Sequence, residues 1–103
     1  MPPHDVPGLA AKEFVAMNLL VGATRPKYGL QLVEESDGAL KRGTIYVTLN
    51  RLEEKGYVES KREDAAPGIA TPRRLYKATG LGVQVYRALE KAGGRAWLKE
   101  ALA

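Results

Sequence analysis

Apolar residues recur with a helical period over residues 9–22, LAAKEFVAMNLLVG, where Ala10, Phe14, Met17 and Val21 share a stripe that Leu20 widens. Gly22 and Pro26 end this first helix. Residues 28–36, YGLQLVEES, predict a short second helix with Leu30, Leu32 and Val33 inward, closed by the turn signal Asp37-Gly38. A third helix spans about residues 43–55, with Ile45, Leu49 and Leu52 as its core stripe and Gly56 as its stop. The period then changes. Residues 57–62, YVESKR, and 73–77, RRLYK, read as two strands around the turn-rich tip EDAAPGIATP of residues 63–72, a β-hairpin with a long loop. From Thr79 the chain is helical again to about Leu102.

Three helices, a hairpin and a last helix make an α+β, mostly helical fold, a winged helix-turn-helix with a two-stranded wing. The expected divisions are a flexible N-terminal arm at 1–8, the winged-helix domain at 9–78 and a C-terminal dimerisation helix at 79–103. The arm, MPPHDVPG, has neither a basic n-region nor an apolar h-region and does not read as a signal peptide. No stretch is long and apolar enough to span a membrane.

Composition narrows the function classes. The chain has no cysteine, which removes disulfides and thiolate metal sites and suits a reducing cytoplasm. Its single histidine, His4, lies on the arm, and no carboxylate set stands beside a base, so no catalytic residue, metal site or cofactor is expected. Glu34, Glu35 and Asp37 read as a solvated turn rather than as cation ligands. The formal net charge is +4. The excess of Lys and Arg falls between residues 41 and 77, while acidic residues prevail over 1–40. A basic patch coinciding with one structural unit is the footprint of a phosphate-rich partner, although a solvated basic surface gives the same composition.

The third helix sharpens this choice. Opposite its core stripe stand Thr44, Val47, Asn50 and Arg51, with Tyr46 at the border. In a major groove, Val47 would meet a thymine methyl, and Asn50 and Arg51 would offer donors to base edges or phosphates. Lys41 and Arg42 precede the helix, where cations are unfavourable by about 0.3–1 kcal/mol each. With Thr44 they form a collar for an anion, and a phosphate would turn the repulsion into attraction. On the hairpin, Lys61, Arg62, Arg73, Arg74 and Lys77 are placed to follow a DNA backbone or enter a minor groove. In the last helix Val85, Leu89, Ala92 and Ala96 form one stripe, and Tyr86, Leu89, Trp97 and Ala101 a second. Two apolar faces ask for two covers: the body of the domain and the same helix of a second subunit. Trp97 is then an interface anchor, with a small aromatic effector as its alternative occupant. Two recognition helices about one DNA turn apart imply a palindromic operator. A winged helix used for RNA binding or protein contact is the competing function.

The stretch GTIYVTLNRLEEKGYVES resembles the pattern Gly-Thr-Leu-Tyr-x-x-Leu-x-Arg-Leu-Glu-x-x-Gly of the PadR-like transcriptional regulators, with Gly43, Thr44, Tyr46, Leu49, Arg51, Leu52, Glu53 and Gly56 in place. Tyr28-Gly29 and Leu32 are similar to the family's segment after the first helix. PRRLYKATGLG resembles its wing, with Arg73, Arg74, Tyr76, Thr79 and Gly82 in register. Val47 stands where Pro is frequent, Ala78 replaces Leu and Gly80 replaces an acidic residue. The resemblance covers about residues 14–90. It implies a DNA-binding repressor, usually a homodimer that responds to a small effector, of the short subfamily with a single C-terminal helix.

Overall fold

The structure is a computed structural model that describes residues 5–6, 9–63 and 73–94. Its elements in chain order are β1 (Asp5–Val6), β2 (Leu9–Ala10), α1 (Ala11–Val21), β3 (Lys27–Tyr28), α2 (Gly29–Glu35), α3 (Ile45–Glu54), β4 (Val58–Glu63), β5 (Arg73–Ala78) and α4 (Gly80–Leu89). A wide turn over Glu90–Gly94 follows α4. This is the expected winged helix, with two additions in the backbone. β1 pairs antiparallel with β2, so the segment expected as a free arm folds back at residues 5–6 and the first helix starts at Ala11 rather than Leu9. The wing sheet has three strands in the order β3-β5-β4, because Lys27 and Tyr28 pair with Tyr76 and Leu75.

α1 is the central element. Phe14, Ala16 and Met17 are fully buried, and Val15 and Leu20 nearly so, which extends well beyond the single stripe expected. The reason is that α3, β5 and α4 all pack around this helix, and a helix enclosed on several sides is apolar on several sides. Its first turn holds a buried carboxylate. Glu13 Oε1 accepts the Ala10 N–H at 2.7 Å, closing the helix end, and the Lys55 ammonium at 2.7 Å from beyond the end of α3. A charge buried in this way is tolerated because it is paired.

Two glycines shape the termini. Gly56, at φ +80°, ends α3 as a left-handed cap: the Tyr57 N–H donates to the Leu52 carbonyl and the Gly56 N–H to that of Glu53. Gly82 brings α4 against the chain that leaves this cap, since a Cβ at Gly82 would stand 2.0 Å from the Tyr57 carbonyl oxygen. The Thr79 hydroxyl caps α4 by accepting the Gly82 N–H at 3.0 Å.

Three positions refine the expectations. Leu30 is 41% exposed while Leu32 is fully buried. Residues two apart on a helix point to nearly opposite sides, so both could not face inward. The last helix is interrupted: of the two readings open for Gly93-Gly94, a local break or a close backbone approach, the break is what forms, with Ala92 and Gly93 out of helical geometry and Gly93 at φ +96°. Finally, Tyr86 is buried in its own domain. Its ring lies 5.0 Å from that of Phe14, and its hydroxyl donates to Asn18 Oδ1.

Candidate DNA-binding surface

The segment from Lys41 to Glu54 presents one exposed face. Ile45, Leu49 and Leu52 are fully buried and anchor α3 to α1 and α2, which leaves Tyr46, Val47, Asn50 and Arg51 on the solvent side. Tyr46 and Val47 are 47% and 51% exposed, an apolar surface on a helix that has other sides on which to bury such groups. Thr48 is buried instead. Lys41, Arg42 and Thr44 stand exposed in the turn before the helix, as a collar requires. The collar is narrower than the sequence suggests, because the Lys41 carbonyl already accepts the N–H groups of Thr44 and Ile45. Thr44 occupies the cap position but makes no side-chain cap bond.

The wing is coupled to α3 by side chains. Ser60 Oγ donates to Glu53 Oε2 at 2.8 Å, and Arg74 Nη1 donates to Ser60 Oγ at 3.2 Å. This relay ties Arg74 to the C-terminal end of α3. Arg62 is the direct cross-strand partner of Arg74, so two guanidinium side chains stand side by side. Like charges directly opposite are unfavourable in an empty sheet and favourable around an anion. Lys61 is exposed on the same strand, and Lys77 is paired with Glu59 at 3.1 Å. Tyr76 lies beneath the sheet, where burial first and the nearby Glu53 charge second push its phenol above its ordinary pKa.

Arg73 is held differently. Its guanidinium lies 4.5 Å from the centre of the Tyr28 ring, and the Tyr28 hydroxyl donates to Glu63 Oε1 at 2.6 Å. That hydrogen bond is the main reason the Tyr28 phenol is raised above its ordinary value, with desolvation and the Glu63 charge adding to it. The Tyr28–Glu63 pair and the separate Arg74–Ser60–Glu53 relay both escape sequence reasoning. The only local signal of the first is the Tyr28-Gly29 pair, and its partner lies 35 residues along the chain.

The structure thus brings Lys41, Arg42, Thr44, Tyr46, Val47, Asn50 and Arg51 onto one helix and its approach, with Lys61, Arg73 and Arg74 on the wing beyond it. Of the second group, Tyr86, Leu89, Trp97 and Ala101, only the first two are described. Tyr86 is in the core and Leu89 is half-buried against that core, while Trp97 and Ala101 lie outside the described residues. The outward face of α4 carries Leu81, at 52% exposure, and Ala88, while Val85 is half-buried against the core. Among the described residues no group of His, Cys, Asp or Glu could hold a metal ion, and no helix is long and apolar enough to cross a membrane.

A helix with an exposed reading face, a cationic approach and a basic wing is the equipment of a duplex-binding domain. Solved structures agree with it. The chain is similar to a PadR-like transcription factor from Bacteroides fragilis, with 27% identity, a TM-score of 0.68, and coverage of 87% of this chain and 84% of that one. A PadR family transcriptional regulator from Eggerthella lenta gives 26% identity and a TM-score of 0.66 over 84% of this chain and 77% of that one. A PadR family regulator from Clostridium difficile shares the fold at 19% identity and a TM-score of 0.68, over 91% of this chain and 100% of that one. No curated protein matches the chain. The model of the transcriptional regulator PadR-like family matches residues 17–88, which hold the C-terminal part of α1, α2, α3, the wing and most of α4. The chain therefore belongs to the PadR-like family of DNA-binding transcriptional regulators.

Proposed function

We propose that the protein is a repressor that binds a palindromic operator as a homodimer and releases it in response to a small effector. The observation that carries the DNA reading is the solvent-facing set Val47, Asn50 and Arg51 on α3, opposite a fully buried stripe. Lys41, Arg42 and Thr44 supply phosphate contacts at the helix approach, Tyr46 borders the base-reading residues, and Lys61, Arg73 and Arg74 extend the phosphate contacts along the wing. The homodimer reading rests on α4, where Leu81 and Ala88 stand exposed on the side away from Tyr86 and the core. The effector reading rests on the family resemblance, with Trp97, the only tryptophan in the sequence, as the residue that would meet an aromatic ligand.

The test is selection of bound duplexes from a random pool at two salt concentrations, with sedimentation of the free protein. Palindromic selected sites, a steep salt dependence and a dimer at micromolar concentration are expected. Preference for single-stranded RNA, or no nucleic-acid binding at all, would replace this reading with RNA recognition or protein contact. Quenching of the Trp97 fluorescence by planar aromatic acids, with a reciprocal change in DNA affinity, tests the effector.

A further inference from the structure

We propose that Tyr28 is a positioning residue for DNA binding: its ring pre-orders the Arg73 guanidinium, and its hydroxyl diverts Glu63, so that the cation at the outer end of the wing is fixed but not neutralised. The proposal rests on the DNA-binding reading above and deepens it.

Tyr28 pairs with Leu75, so Arg73, two residues earlier on β5, is its diagonal neighbour on the same face of the sheet. The guanidinium carbon lies 4.5 Å from the ring centre, within cation–π range. Glu63 is the direct cross-strand partner of Arg73, the position from which a carboxylate would ordinarily claim the cation. Glu63 instead accepts the Tyr28 hydroxyl at 2.6 Å, and among the described residues Arg73 forms no ion pair.

The chemistry follows from the shape of the guanidinium. Stacking engages its flat face and leaves the in-plane N–H donors available to a phosphate. A long side chain that is already ordered loses less entropy when it binds. Tyr28 is also the residue immediately before α2, so the ring that orders Arg73 is attached to the helix-turn-helix itself. The wing's outer cation and the recognition unit then meet DNA as one rigid body.

The experiment is a mutant cycle on the full chain, read as affinity for one selected duplex against salt concentration. Arg73→Ala should lower the slope of log affinity against log salt by about 0.9 for each phosphate that is no longer neutralised. Tyr28→Leu should weaken binding several-fold, and most of that loss should vanish in the Arg73→Ala background, since coupled residues are not additive. Tyr28→Phe keeps the ring and frees Glu63 to pair with Arg73. It should weaken binding, and Glu63→Gln in the same chain should restore it. Should Tyr28→Leu fail to fold, the Tyr28→Phe and Tyr28→Phe/Glu63→Gln pair decides alone. Independent effects of Tyr28→Leu and Arg73→Ala, or no rescue by Glu63→Gln, would overturn the proposal while the parent still binds. A parent protein that binds no duplex would overturn the functional reading and this proposal together.

Discussion

The ring of Tyr46 on α3 lies against the backbone of Gly29 at the start of α2, so close that a Cβ on Gly29 would stand 2.8 Å from Tyr46 Cε1 and 3.1 Å from Cζ. The first helical residue of the short helix is thereby the seat for an aromatic side chain on the reading helix. Gly29→Ala must displace that ring. Because Tyr46 is about half exposed, the ring has room to swing outward, and the stability change should be about 1 kcal/mol or less. Operator affinity should fall by about tenfold, since the displaced ring enters the reading face, a loss of about 1.4 kcal/mol. Binding measured in a Tyr46→Ala background should show no further effect of Gly29→Ala. A loss of equal size there would place the defect elsewhere.

Val47 tests base reading. It is 51% exposed on the solvent side of α3 and lies outside the buried core. Val47→Ala removes methyl surface from the face assigned to thymine and leaves the cations untouched. Selected operators should lose a thymine preference at one position of each half-site, a discrimination of about 1–3 kcal/mol at most, while affinity for random duplex stays within a factor of about two. Identical operators for mutant and parent would remove Val47 from the reading set.

Gly82 presents the opposite case to Gly29. A Cβ there would meet the Tyr57 carbonyl oxygen at 2.0 Å and its carbon at 2.8 Å, and backbone cannot swing aside as a ring can. That carbonyl also accepts the Thr79 N–H, so moving α4 away breaks the start of the helix. Gly82→Ala should cost about 3 kcal/mol or more, at the upper end of overpacking, and lower the melting temperature by more than ten degrees (roughly, for a domain of this size). A melting temperature within a few degrees of the parent would contradict the close approach.

Alkaline pH should destabilise the fold through its tyrosines. Tyr28 and Tyr76 are both held above the ordinary value of 10.0, the first mainly by its bond to Glu63 and the second mainly by burial. A raised folded-state pKa means that the unfolded chain releases these protons first. The stabilisation is therefore whole below about pH 10 and is lost as pH rises through the folded-state values. Unfolding curves taken from pH 8 upward should show this decline, and Tyr76→Phe should flatten it. An unchanged decline in Tyr76→Phe and Tyr28→Phe would assign it to other groups.

The third helix, its stop and the wing were legible from local pattern. Ile45, Leu49 and Leu52 mark the buried side of α3 by spacing alone, and the glycine at Gly56 marks the point where a left-handed cap is needed. The change to period two at Tyr57 announces the hairpin. These signals reside in a few neighbouring residues, so a chain read in order reveals them. The exposed residues of the reading face follow by subtraction from the core stripe.

What only the tertiary structure decided depends on residues distant in sequence or silent in a hydrophobic pattern. β3 is two residues long, too short for any periodicity, and exists because β5 supplies its partners. Gly82 has no side chain to enter a stripe, yet its approach to Tyr57 sets the inner face of α4 and carries Tyr86, four residues on, into the core. The pairing of Glu13 with Lys55 and the stacking of Arg73 on Tyr28 join charges that look like ordinary surface residues in the sequence. Local preference specifies which segments coil or extend. Long-range packing specifies which side of each is covered, because burial free energy is gained only where another element arrives to exclude the water.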